Sequence, residues 1–392
     1  MKITSIELLP ASKYLFIKLY TDEGIYGTGE VGAWGYLDGC AGILKKMEGY
    51  LIGQDPFRIE HHWNYLYRSM YFRGSILMSA LSAIDIALWD IKGKALGVPV
   101  YELLGGKCRD KVRSYEAVFK FTPEEIAQRC VELKEMGFDA ARLMITGDIR
   151  LKQAKRRSSV YNAKVSDYIK VVKAVREAVG DEFDMILECH RSMDPCEAIA
   201  FAKGVEAYRP LFLEDPIRPD NFDEMGHVAA QCRIPIATGE RINTYHEFEM
   251  LLERNACSYV RASLGVCGGF TGAKKIAAIA EAHHKSLVPH NPCSPVMTNA
   301  VLQFVAATDN IAITEYPNPF AASTVDHLTG SGVKLRQCDM VDHIPEFKDG
   351  YLSVPEEPGI GIDVIPDLEE KFPFRPHKVM TRLNVDGSIC DQ

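Results

Sequence analysis

From residue 112 onward the chain alternates short apolar runs with amphipathic stretches, and this rhythm leaves few folds open. The runs occupy residues 112–118, 140–144, 184–188, 210–213, 234–237, 258–260, 286–288 and 311–313. Between them, stretches such as 123–136, 165–179, 196–208 and 271–283 place apolar residues three and four apart, as helices do. Strands that alternate with helices of this length build parallel sheets through helical crossovers. Eight of them predict a closed TIM-type barrel rather than an open sheet.

The first hundred residues follow a different pattern. Residues 3–9 and 14–20 alternate like strands, with Asp22, Glu23 and Gly24 as a turn, and a helix is expected over 79–96, where Leu81, Ile84, Leu88 and Ile91 share one face. Strands followed by helices indicate an α+β domain. The expected organisation is an N-terminal α+β domain over 1–111, a barrel over 112–316, and a segment over 317–392 that packs back on the first domain. Proline and glycine are frequent in that last segment and periodicity fades.

Composition excludes several partners. Lys plus Arg number 45 against 53 Asp plus Glu, a net charge of −8. A nucleic-acid partner needs a positive face, so none is expected. No apolar run approaches the roughly 20 residues that span a bilayer, and the opening MKITSIELLPASKYLF alternates like a strand instead of forming the apolar core of a signal peptide. The eleven cysteines are scattered and contain no CxxC pair, which suits reduced thiols in a cytoplasmic protein. Cys189 is notable because it stands between two candidate site residues.

Those candidates begin with three acids at strand ends: MILE ending in Glu188, LFLED containing Glu214, and PIATGE ending in Glu240. They lie 26 residues apart each time, about one strand–helix unit. Active sites of such barrels gather at the C-terminal strand ends, so neighbouring strands aim these carboxylates at one point. Three gathered carboxylates repel one another unless a cation balances them, and an all-oxygen ligand set suits Mg²⁺.

The segment AIDIALWDIKGKALGVPVYELLGG (83–106) resembles the signature of the mandelate racemase and muconate lactonizing group of the enolase superfamily. LEDPIRPDN (213–221), ATGERIN (237–243), GVCGGFTGAKKIAAIA (265–280) and VPHNP (288–292) resemble later motifs of that group, in the same order. The resemblance covers essentially the whole chain. It implies an α+β capping domain, completed by the C-terminal tail, over a (β/α)7β barrel. It also implies one Mg²⁺ per active site held by Glu188, Glu214 and Glu240, the first of which is Asp in many members. Known members share a step in which a base removes the proton α to a carboxylate while Mg²⁺ stabilises the ene-diolate.

His190 lies two residues beyond Glu188, so strand alternation puts both on the inward face. The resemblance makes it the general acid or base of an acid sugar dehydratase, and makes His290, closing the seventh strand, a second catalytic histidine. Two departures stand out. Most members carry Asp where this chain has Ser263, which removes the partner that would orient His290. The second strand, usually ending in Lys-x-Lys, here reads Arg142-Leu143-Met144, and arginine keeps its proton. Both departures resemble the mannonate dehydratase subgroup, in which the arginine pairs with a loop tyrosine as base, so Arg142 and Tyr161 form a candidate pair.

The same resemblance assigns substrate contacts to Glu315 at the end of the eighth strand and to Trp34, Tyr71 and Arg73 in capping-domain loops. Residues 147–163 carry Arg150, Lys152, Lys155, Arg156 and Arg157, a cationic stretch suited to drawing in an anionic substrate. The His61–His62 and His283–His284 pairs are expected to be structural. The expected function is Mg²⁺-dependent dehydration of a sugar acid to a 2-keto-3-deoxy acid by a cytoplasmic homo-oligomer. The rival expectations are an epimerase or racemase of a 2-hydroxy acid and a metal-binding paralogue without catalysis.

Overall fold

The computed structural model describes residues 1–145, 161–317, 336–378, 381–383 and 386–391. The chain opens with an antiparallel sheet of β1 (Ile3–Ala11), β2 (Tyr14–Thr21) and β3 (Tyr26–Glu30). Three helices follow, α1 (Leu37–Leu51), α2 (Ile59–Ser69) and α3 (Ser75–Leu96), with a single turn α4 (Val100–Leu103) after them. Sequence reading missed β3, α1 and α2. Two glycines interrupt β3, and the strand lies on α3, so it is buried without an alternating pattern. Helix α3 is apolar almost all round because the sheet covers one side and the barrel the other.

The barrel strands are β4 (Lys111–Val118), β5 (Ala140–Met144), β6 (Asp184–Glu188), β7 (Phe212–Glu214), β8 (Ile236–Thr238), β9 (Tyr259–Val260), β10 (Ser286–Leu287) and β11 (Thr314–Glu315). Each pairs in parallel with the next from β4 to β10. The ring closes where β11 pairs with β4 and a bridge joins Leu287 to Ile311. The α/β barrel with a separate N-terminal sheet is thus as expected, with the last strand displaced to 314–315 from the expected 311–313. The apolar run IAI lies just before the strand, whose pairing with Ser114 and Tyr115 begins at Thr314.

Around the barrel run α5 (Pro123–Glu135), α6 (Tyr161–Val179), α7 (Pro195–Val205), α8 (Phe222–Gln231), α9 (Tyr245–Glu253), α10 (Gly269–Ala282) and α11 (Pro295–Ala306). Local sequence sets their starts. Thr122 accepts from the Glu125 N–H at 3.2 Å while the Glu125 carboxylate accepts from Thr122 at 3.1 Å, and Thr244 with Glu247 repeats this capping box before α9. In the tail, β12 (Phe347–Lys348) and β13 (Tyr351–Ser353) add to the outer side of β4, and Pro373 bridges back to Ala11 in the first sheet.

One layer of side chains fills the barrel lumen: Tyr115, Ala140, Ile186, Phe212, Ala237, Val288 and Ile313, each from a different strand segment, with Tyr259 against them. Side chains two residues further along a strand face the same way, so this layer fixes what stands above it at the C-terminal rim.

The first sheet and the barrel meet closely. Gly32 N–H donates to the Gly265 carbonyl at 3.2 Å, and a Cβ built on Gly265 would lie 2.7 Å from Gly32 Cα. Gly265→Ala is therefore expected to cost about 1–3 kcal/mol by overpacking, read as a lowered urea midpoint. An unchanged midpoint would mean that the two backbones have room to part.

Candidate active site

Counting two residues on from the lumen layer gives Arg142, Glu188, Glu214, Arg261, His290 and Glu315, all buried or nearly so at one rim. The eighth-strand shift therefore leaves Glu315 at the strand end. Glu240 arrives differently: Gly239, at φ 137°, turns the chain just after β8 and brings the third carboxylate round. Glu188, Glu214 and Glu240 each present an oxygen within 4.8 Å of the others.

Three guanidiniums interleave with them. Arg142 Nη1 lies 3.2 Å from Glu214 Oε1 and 3.4 Å from Glu188 Oε2, and its Nη2 is 3.2 Å from Glu315 Oε1. Arg261 Nε donates to Glu214 Oε1 at 2.7 Å and its Nη2 to Glu315 Oε2 at 2.9 Å. Its Nη1 donates to the Tyr115 hydroxyl at 2.8 Å and to the carbonyls of Val288 and Pro289. Arg191 donates to Asp215 Oδ2 at 3.0 Å, to Glu240 Oε1, and from Nη2 to His190 Nε2 at 2.9 Å.

Sequence reading missed Arg191, Arg261 and Asp215. Arg261 was findable: it sits two residues past Tyr259, in the parity that selects His290 past Val288. Arg191 had no such signal, because it leaves its strand through a turn. His190 (φ 49°), Arg191 (φ 59°) and Asp215 (φ 41°) all adopt left-handed backbone at strand ends, a conformation that concentrates at functional sites. His190 therefore does not reach the rim by the strand alternation expected from the sequence. The strand stops at Glu188, His190 N–H donates to Glu188 Oε1 at 2.6 Å, and the turn carries the imidazole to Arg191. Cys189 is buried beneath this turn.

The electrostatics follow from burial and neighbours. Burial, reinforced by Glu214, pushes the Glu188 carboxyl far above its usual range. Burial and Glu240 push Asp215 up to about 6, although Arg191 opposes them. Burial works the same way on Glu240 and Glu315 but is overcome there. Arg191 and His290 hold Glu240 well below its usual value, while Arg142 and Arg261 hold Glu315 at about 2. His290 sits with Nε2 3.2 Å from Glu240 Oε2, and burial lowers its pKa. Among the described residues its buried Nδ1 has no hydrogen-bond partner, which fits the serine at 263.

The donor set suits a divalent cation. Among the described residues, buried Glu188 Oε2 and Glu214 Oε2 accept no hydrogen bond, the former having only the longer 3.4 Å contact with Arg142. Five acidic side chains, counting Asp215 and Glu315, face three guanidiniums, and without a cation, burial and the neighbouring Glu214 push Glu188 up. Buried unpaired oxygens are costly unless something binds them.

The other candidates are placed elsewhere. The Tyr161 hydroxyl donates to the Cys196 carbonyl at 3.3 Å, so the structure does not join it to Arg142; the reason is that Tyr161 opens helix α6 instead of ending a loop. Arg150, Lys152, Lys155, Arg156 and Arg157 lie outside the described residues. Trp34 packs edge-on against His377 at 5.0 Å, Arg73 stacks over Tyr67 at 4.3 Å, and Tyr71 is 97% exposed. Among the described residues none of these three touches the carboxylate cluster. His62 is buried between the Tyr50 hydroxyl and the Asp55 carbonyl, a structural role.

Residues 3–105 match the family described as mandelate racemase / muconate lactonizing enzyme, N-terminal domain, and residues 125–368 match the family described as enolase C-terminal domain-like. A D-galactonate dehydratase of Pectobacterium atrosepticum is 36% identical over 94% of this chain and 92% of its own. The D-galactonate dehydratase of Xanthomonas oryzae pv. oryzae is 34% identical over the whole of both chains. Among solved structures, an enolase from Agrobacterium radiobacter, a candidate galactarate dehydratase with bound Na and L-malate, superposes over the full length of both chains. Its TM-score is 0.90 at 30% identity. A candidate dehydratase from Zymomonas mobilis ZM4 gives 0.86 at 32% identity, over 94% of this chain and 97% of its own.

Proposed function

Because the chain belongs to the mandelate racemase and muconate lactonizing enzyme family of the enolase superfamily, among its acid sugar dehydratases, we propose that it dehydrates an aldonate of the galactonate type to a 2-keto-3-deoxy acid. The observation that carries this reading is the trio of Glu188, Glu214 and Glu240, two of whose buried oxygens accept no hydrogen bond among the described residues. The trio would hold one Mg²⁺, which would supply charge stabilisation to the substrate carboxylate.

His290, on the rim beside Glu240, removes the C2 proton through its ring nitrogen. The alternative base, Tyr161 with Arg142, is less well supported, since the tyrosine hydroxyl is engaged with Cys196 and the arginine lies among carboxylates. His190 gives a proton to the departing 3-hydroxyl, and the resulting enol tautomerises to the keto acid. Arg191, donating to His190 Nε2, sets the orientation of that ring. Glu315 receives a substrate hydroxyl, while Trp34, Tyr71 and Arg73 close over the far end of the sugar. The enzyme acts on a small molecule in the cytoplasm, without nucleic acid or membrane, a reading the acidic charge balance and the scattered cysteines support; that it is a homo-oligomer rests on the family resemblance. Among the described residues no helix is long and apolar enough to cross a membrane.

The test is incubation of the purified protein with Mg²⁺ and a panel of C4–C6 sugar acids, beginning with D-galactonate, with semicarbazide detection of 2-keto acid. A keto acid from one stereochemical class is expected. Deuterium entering C2 from solvent without keto acid would replace dehydration by epimerisation. His190→Asn is expected to keep metal binding, read by calorimetry, and to lose turnover by on the order of 10² or more. Full activity in that variant removes the acid from His190.

A further inference from the structure

Glu30 ends the third strand of the first sheet, is fully buried, and has no part in the chemistry above. All three of its donors belong to the barrel. Ser294 N–H donates to Oε1 at 3.0 Å, Ser294 Oγ to Oε2 at 2.6 Å, and Met297 N–H to Oε2 at 3.0 Å. These groups form the first turn of α11, where Ser294 also caps Val296 N–H at 3.1 Å. The turn begins four residues after His290. On its other side the same segment is held by Glu315, which accepts from Asn291 N–H at 3.0 Å, while Asn291 Nδ2 donates to Thr298.

Four residues after Glu30 comes Trp34, and between them Gly32 and Ala33 are fastened as well. Gly32 bonds to Gly265, and Ala33 N–H donates to Ser79 Oγ, which itself donates to the Gly265 carbonyl at 2.9 Å. The loop carrying His290 and the loop carrying Trp34 therefore hang from one seam. A buried carboxylate receiving two N–H groups and a hydroxyl at a helix N-terminus is a strong, directional tie. Burial pushes the Glu30 carboxyl up to about 7 against the pull of these bonds, with Lys13 as a further stabilising charge.

We infer that Glu30 is a positioning residue: it sets His290 against the Trp34 loop, so that the base and the substrate-facing cap move as one unit. This rests on the proposed role of His290, and the test separates the two. In Glu30→Gln the amide nitrogen faces N–H donors and at least one bond is lost; in Ser294→Ala only the hydroxyl bond goes. With Mg²⁺ present, ¹⁵N-histidine spectra, assigned by His290→Asn, are expected to show the His290 resonance shifted or broadened in Glu30→Gln while His62 stays in place. Amide exchange over residues 288–298 is expected to rise about tenfold, with the rest of the barrel unchanged. On the substrate found above, kcat is expected to fall about 10- to 100-fold with KM within threefold, and Ser294→Ala to fall between Glu30→Gln and wild type. An unmoved His290 resonance overturns the inference whatever the substrate. So does a loss of kcat matched by an equal loss of folded protein. A wild type without sugar-acid turnover but with His290 displaced in Glu30→Gln leaves the tie standing and overturns the dehydratase reading.

Discussion

Arg261→Met is expected to destabilise the protein by about 3–5 kcal/mol, read as a lower urea midpoint in the presence of a chelator. The side chain is fully buried and makes paired contacts to Glu214 and Glu315, a bond to Tyr115, and two more to the carbonyls that precede His290. Methionine fills similar space but leaves two buried carboxylates short of a partner, and breaking one side of a buried charge pair costs far more than the pair is worth against an apolar replacement. Arg261→Lys restores the charge without the fork that reaches both carboxylates and both carbonyls, so only partial recovery is expected. A loss under about 1 kcal/mol for the methionine variant would mean that the rim cluster is solvated well enough to ignore its own charges.

This explains why the site carries arginines at all. A ligand trio can be assembled from carboxylates alone only if something keeps them apart and charged before the cation binds. Arg142 contacts three of the five acids, and Arg191 and Arg261 contact two each. They neutralise part of the cluster and fix its geometry, and among the described residues they leave Glu188 Oε2 and Glu214 Oε2 without a hydrogen bond. The price of this arrangement is paid in desolvation of eight acidic and basic side chains, which suits a preorganised site better than a merely stable one.

How much of this was legible in the sequence depended on whether periodicity carried it. The barrel was, because each strand–helix unit repeats one pattern, and the carboxylates were, because each ends such a unit. Arg142, Glu315 and His290 came from the family resemblance at strand ends; parity counted from the lumen layer gives the same three and would have given Arg261 had it been applied to Tyr259. The sequence was silent where the chain leaves regular structure. The left-handed turns at His190, Arg191 and Asp215 have no glycine to announce them, and the strand β3 hides its pairing because Gly27 and Gly29 must lie flat on α3. Contacts between distant segments, such as Glu30 with Ser294 across 264 residues, have no local signature.

The larger effect on turnover is expected from the ligand trio itself. Glu214→Gln is chosen over Glu188 or Glu240 because Glu214 stands in the middle, with one oxygen already given to Arg142 and Arg261 and the other free for a cation. The amide keeps the shape but removes one of the charges that attract the metal, and it turns an N–H₂ toward either the guanidiniums or the cation. Binding of Mg²⁺, followed by titration calorimetry, is expected to weaken by at least 10²-fold. Stabilisation of the developing charge is worth several kcal/mol, so kcat/KM should fall by on the order of 10³ or more. Wild-type protein stripped with EDTA should show the same loss and recover on adding Mg²⁺, whereas Glu214→Gln should not recover at any Mg²⁺ concentration that saturates the wild type. If the variant binds Mg²⁺ normally and only turnover drops, Glu214 acts on the substrate and the cation is held by other groups. If neither changes, the trio is a cluster of structural acids balanced by arginine, and the chemistry lies elsewhere on the rim.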